Sequence, residues 1–166
     1  RDRSVSRGLG DVYKRQTLGF LFHHPIAVTI YIIITGSLRA VTSGYHCKTR
    51  ISCYILSYTV FFIYLLTIAT IPMISAYILI PIYIICWILI LVVSPVDTPN
   101  KVFSKSAKKT ARKKTYIIFF FNSIFTILSL LLHWNKGLIF IDLSLIICAT
   151  GLYTGYISNI RRHHES

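Results

Sequence analysis

The stretch YILSYTVFFIYLLTIATIPMISAYILIPIYIICWILILVV, residues 54–93, decides the fold class. Tyr54 to Ile71 is a run of 18 nearly uninterrupted apolar residues, Pro72 punctuates it, and Met73 to Val93 supplies 21 more. An apolar α-helix needs about 20 residues to cross a hydrocarbon core of about 30 Å. These are two consecutive membrane spans, the second with an expected kink at Pro81. Further along, Tyr116 to Leu132 makes a third run, HWNKG turns it, and Leu138 to Ile157 makes a fourth. Upstream, Thr17 to Leu38 is apolar but broken by His23-His24-Pro25, leaving a clean run only from Ile26 to Thr35. That run is too short to span, and reads as a re-entrant, interfacial or truncated segment. The expected fold is all-α: a polytopic helical membrane protein with four clear transmembrane helices plus this N-terminal segment.

Composition agrees. The 166 residues are 54% hydrophobic, and five acidic side chains face 18 Lys and Arg, for a formal net charge of +13. A soluble domain of this length needs more charge to clothe its surface. The basic residues lie in clusters between apolar runs, which is the pattern of membrane topology signals and not of a nucleic-acid footprint. The first sixteen residues, RDRSVSRGLGDVYKRQ, are polar and stop abruptly where the apolar sequence begins. They read as an adapter-like, non-native segment, set apart from a single domain over residues 17–166.

Orientation follows from the same charges. The segment Ser94–Thr115 reads as a hydrophilic loop with seven basic residues and one acid, and faces the cytoplasm by the positive-inside rule. Alternating from there puts Arg39, Lys48, Arg50, the Lys101–Lys114 group and Arg161-Arg162 on that same side, with only Lys136 opposite. The expected location is a multi-pass cell membrane protein, in a bilayer carrying anionic lipids.

At the cytoplasmic doorstep of the first long run stands SGYHCKTRISC, residues 43–53. His46 and Cys53 are seven residues apart, which on one straight helix is about 10.5 Å along the axis, too far for a hydrogen bond. Joint action needs a non-helical or broken segment around Gly44–Thr49, and Gly44 eases such a bend. An imidazole that takes the thiol proton, with Arg39, Lys48 and Arg50 favouring the anion, would supply a nucleophilic thiolate. Cys53 opens a transmembrane helix, where the dipole favours negative sulfur; Cys47, next to the same histidine, competes for the role. The plainer alternative is an interfacial histidine and a buried cysteine with no shared chemistry. Cys86 and Cys148 sit inside apolar runs as packing residues, and no spacing suggests a disulfide framework.

The pattern Arg39-x4-Gly44-Tyr45-His46-x6-Cys53 resembles the accessory gene regulator B family, membrane cysteine endopeptidases of Gram-positive quorum sensing. Pro95-Val96-Asp97-Thr98-Pro99-Asn100-Lys101 resembles that family's PVDTxNK segment, followed by a basic run and a further helix. The chain departs from the family at Ser43, where a second glycine is usual, and at Cys47, where alanine is usual. The resemblance implies that Cys53 is the nucleophile and His46 its base. The substrate it implies is a pheromone precursor of the accessory gene regulator D type. Its C-terminal tail is cut through a thioester acyl-enzyme, and a thiolactone or lactone ring then closes. It implies no cofactor, and a homodimer.

Arg39, Gly44, Asp97, Lys108, Lys109, Arg112, Lys113 and Lys114 are candidates for substrate binding or structural support. The basic group sets topology and binds anionic lipid, or captures an acidic precursor tail. Asp97 orients His46 as the third member of a triad, or caps the PVDTPN turn, the turn being the simpler reading. Asp142 is expected to reach the outer interface or pair with Lys136. The pairs His23-His24 and His163-His164 match no metal-site spacing, and no metal is expected. Two other classes stay open: a non-catalytic transport or sensor subunit, and a lipid-modifying enzyme using the same thiol.

Overall fold

A computed structural model describes residues 2–42, 49–71, 74–96 and 104–165. These form six helices: α1 (Asp2–Leu21), α2 (Pro25–Thr42), α3 (Arg50–Thr70), α4 (Ala76–Val93), α5 (Lys105–Leu131) and α6 (Asn135–Glu165). No strand occurs among the described residues, and α2 to α6 are long and apolar enough to cross a membrane. The all-α polytopic fold expected from the apolar runs is the fold observed.

The N-terminal segment is longer than hydropathy suggested. α2 is one helix of 18 residues, about 27 Å long, close to the thickness of a bilayer core. Its second half carries several hydroxyl side chains, but these are satisfied by their own helix. Thr35 Oγ1 donates to the Tyr31 carbonyl at 2.6 Å, Ser37 Oγ to Ile33 at 2.6 Å, and Thr42 Oγ1 to Leu38 at 2.9 Å. Hydroxyls folded back in this way do not interrupt an apolar helix.

A second difference concerns Ser94–Thr115, read from sequence as a loop. Its latter part is helical. Ser104 caps α5, its hydroxyl accepting from the Ala107 amide at 3.2 Å, and the basic residues from Lys105 to Lys114 occupy the opening turns. At 27 residues α5 is about 40 Å long, so its charged start stands clear of the core that its apolar part spans.

α6 is the central helix: more than half of its apolar span is buried, whereas α3 presents most of its side chains outward. Ile141, Leu145, Cys148 and Leu152 of α6 join Ile34 and Leu38 of α2 and Trp87 and Ile90 of α4 in one core. A second core joins Ala27, Val28 and Tyr31 of α2 to Phe61, Tyr64 and Leu65 of α3, where the Tyr64 hydroxyl donates to the Ala27 carbonyl at 2.8 Å. α1 lies close to α2, since a Cβ on Gly19 would meet Val28 at 2.9 Å. Arg15, near the end of α1, donates to Ser57 Oγ at 2.6 Å and lies over the rings of Tyr31, Tyr58 and Phe61.

Two turns at one end of the bundle are built alike. The His24 amide bonds back to Gly19 and His23 to Phe20, and likewise Trp134 to Ser129 and His133 to Leu130. Each is a Schellman helix stop, with His23 (φ 58°) and His133 (φ 51°) in the left-handed position that usually takes glycine. Asp142 corrects the sequence reading. It is 3% exposed, makes no ion pair with Lys136, and its Oδ2 is unpartnered. Lys136 instead lines a surface cleft with His23, His24 and Trp134.

Candidate active site

Cys53 lies where α3 begins. Thr49 is extended (φ −116°, ψ 150°) and caps the helix, its hydroxyl accepting from the Ser52 amide at 3.2 Å. The Cys53 amide reaches the Thr49 carbonyl at 3.2 Å, which makes it one of the first intrahelical bonds. Threonine is a favoured cap, and the unsatisfied amides of the first turn make this end of a helix hospitable to negative charge. The thiol is free and half-buried. α3 starts after its Thr49 cap, so the helix does not reach back to position 46. His46 itself, with Gly44, Cys47, Lys48, Asp97 and Lys101, lies outside the described residues.

What the structure brings together is the two motif stretches. The Val96 amide donates to the Thr42 carbonyl, the last residue of α2, at 3.2 Å. Ser94, the C-cap of α4, shares a hydroxyl contact of 3.5 Å with Thr115, and its carbonyl accepts from Arg112 Nε at 3.4 Å. Ser94, Val96 and Thr115 are all buried. The end of α2, the end of α4 and the start of α5 are thus tied at the end of the bundle where α3 begins. Sequence reasoning had noticed Pro95-Val96-Asp97 but had no means of seeing that Thr42, Ser94 and Thr115 anchor it. A backbone-to-backbone bond across the fold leaves no mark in residue types.

Arg39 sits in the last turn of α2, exposed, with its guanidinium over Gly151: a Cβ there would lie 3.9 Å from Nη2. It lines a groove of about 510 Å³ with Leu56, Val60 and Ile63 of α3 and Ile147, Thr150, Gly151 and Thr154 of α6. Nothing in the spacing of the α6 residues singled them out. Lys108, Lys109, Arg112, Lys113 and Lys114 occupy the opening turns of α5, where the helix dipole opposes cations and an anionic partner would offset it. No cluster of three metal-ligating side chains occurs among the described residues.

Five spanning helices make the chain a multi-pass membrane protein. No curated protein and no solved structure matches it. The model of one protein family, accessory gene regulator B, matches residues 16–155. That match covers most of the chain, both motif stretches and all five spanning helices but for the tail of α6, and the chain therefore belongs to the accessory gene regulator B family.

Proposed function

We propose that this chain is a membrane cysteine endopeptidase that removes the C-terminal tail of a peptide pheromone precursor and leaves the remainder ready to cyclise. The observation that carries the reading is the position of Cys53, half-buried in the first turn of a capped helix, at the end of the bundle where both motif stretches meet. His46 lies in the short interval between α2 and α3, and Asp97 follows directly on Val96. The Val96–Thr42 bond favours their approach, in keeping with a base and an orienting carboxylate.

The chemistry balances without a cofactor. His46 takes the Cys53 proton, the thiolate attacks the scissile carbonyl carbon, and the imidazolium returns that proton to the departing amine as the C–N bond breaks. A thiol or hydroxyl of the precursor then attacks the thioester carbon. It gives its proton to His46, which passes it to the released Cys53 sulfur, and a thiolactone or lactone results. Thiol-to-thiol transfer keeps the acyl group activated, so ring closure needs no nucleotide, and a half-buried sulfur helps keep water from the intermediate. The active face in this reading is cytoplasmic, because the basic starts and ends of the helices gather there.

The test is cleavage of a co-expressed precursor. Cys53→Ala abolishes it, Cys53→Ser leaves at most a trace, and Cys47→Ala retains it. Cleavage that survives Cys53→Ala and is lost in Cys47→Ala moves the nucleophile to the other sulfur. Cleavage that survives both variants removes the peptidase reading altogether.

A further inference from the structure

The groove beside Arg39 has a geometry that the catalytic reading leaves unused. On α3, Cys53, Leu56, Val60 and Ile63 follow one another at i, i+3, i+7 and i+10, the spacing of a single helix face. In projection Val60 falls about 20° from Cys53. The three apolar members of that face form one wall of the groove. On its other side Cys53 borders the core, Tyr64 falling about 20° from it, while Phe61 and Leu65 turn away into the bundle. The sulfur thus stands at the head of a stripe whose continuation is an open, apolar trough.

The opposite wall is built from α6 and is chemically quiet. Thr150 Oγ1 is bonded to the Ile146 carbonyl, and Thr154 Oγ1 to Thr150 and Gly151 at 3.0 Å each. Their hydroxyls are already engaged and their methyl groups remain. Gly151 leaves space that a side chain would fill. Only Arg39 offers donors, and among the described residues it forms no ion pair or hydrogen bond.

We infer that this groove is the subsite for the acyl half of the substrate, taking the apolar side chains of the residues just before the cleaved bond. The inference rests on the peptidase reading of Cys53. Its volume lies within the range of about 300–1,000 Å³ typical of small-ligand pockets, enough for a few side chains. Arg39 would meet backbone carbonyls of the extended peptide where they lose water. The half of the substrate that stays on sulfur through the thioester has most need of a fixed, dry seat. A charged departing tail gains nothing from apolar walls, and the basic turns of α5 suit it better. An acyl lipid would also fit apolar walls, but the alignment of the trough with Cys53 favours a chain that is joined to that sulfur.

The test uses thiol reagents in place of the precursor, so it does not depend on cleavage. Alkylation of Cys53 by iodoacetamide, N-hexyl-iodoacetamide and N-carboxymethyl-iodoacetamide is timed by mass spectrometry of the purified full chain in one detergent, in a Cys47→Ala background. Relative to iodoacetamide, the hexyl reagent should react about tenfold faster than the carboxymethyl reagent. Val60→Trp, which fills the groove, should erase that preference while leaving the plain iodoacetamide rate unchanged. Gly151→Leu should do the same from the opposite wall. Equal preference in wild type and both variants overturns the inference, as does a copurified phospholipid that both variants expel with no change in preference. Loss of the preference in both variants, beside cleavage that survives Cys53→Ala, would leave the groove standing as an apolar binding site and remove its catalytic purpose.

Discussion

The amide of Val96 donates to the carbonyl of Thr42 at 3.2 Å, joining the stretch after α4 to the end of α2 across more than fifty residues of sequence. Thr42 is the residue before the segment that carries His46, and Val96 the residue before Asp97. Val96→Pro removes this donor, whereas Val96→Ala keeps it and only trims a buried side chain. A buried hydrogen bond contributes about 1 kcal/mol net, and about 1.4 kcal/mol is tenfold in rate. Val96→Pro should slow precursor cleavage roughly five- to tenfold at unchanged membrane content, and Val96→Ala less. Equal losses would mean that the bond does not couple the two motifs.

The basic turns of α5 should separate by role. Lys109, Lys113 and Lys114 are exposed, so replacing them with Gln should weaken the preference of the inserted protein for anionic over neutral lipid by about 1 kcal/mol per residue, an effect that salt suppresses. Arg112 differs because its Nε is engaged on the Ser94 carbonyl. Arg112→Lys keeps the charge and loses the planar fork, so it should impair cleavage at high salt, where the lysine changes no longer register. Enrichment of anionic lipid around the protein reconstituted in mixed vesicles, and cleavage, each at low and high salt, measure the two effects.

How much of this was legible depends on what hydropathy measures. The runs Tyr54–Ile71 and Met73–Val93 gave α3 and α4 to within a few residues because a membrane span needs apolar side chains whatever its neighbours are. The second half of α2 and the start of α5 were missed for one shared reason. Thr35, Ser37 and Thr42 are polar yet satisfied by their own carbonyls, and the lysines of α5 lie beyond the hydrocarbon, so a helix continues where side-chain hydropathy stops. Cys53 is legible as a helix start because the apolar run after it is a local signal, and the Thr49 cap agrees with it. The groove was not visible, because Thr150, Gly151 and Thr154 become a wall only through the packing of α3 against α6.

Asp142 is an acid in the bundle interior. It is buried with one carboxylate oxygen unpartnered, and such a group costs about 1–3 kcal/mol. Asp142→Leu should raise the unfolding midpoint in detergent by several degrees, at about 2–4 °C per kcal/mol for a chain of this size. It lies near the start of α6, well away from the groove residues Thr150 to Thr154, so cleavage should be unchanged. A variant that is more stable but inactive would show that the acid serves the reaction.

The histidines of the two helix stops offer the last test. His23 and His133 each occupy a left-handed backbone position that costs an L-residue about 1–2 kcal/mol. If that geometry is their role, glycine should serve better and a β-branched residue worse. His133→Gly should raise the midpoint by a few degrees, and His133→Val should lower it, because valine tolerates positive φ least. The same order should hold at His23, where Pro25 opens the next helix immediately after the stop. A metal role predicts the reverse: both replacements would destabilise the protein alike, and a chelator would lower the wild-type midpoint to match. Midpoints of the four variants, with and without chelator, therefore decide between backbone geometry and ligation at these turns.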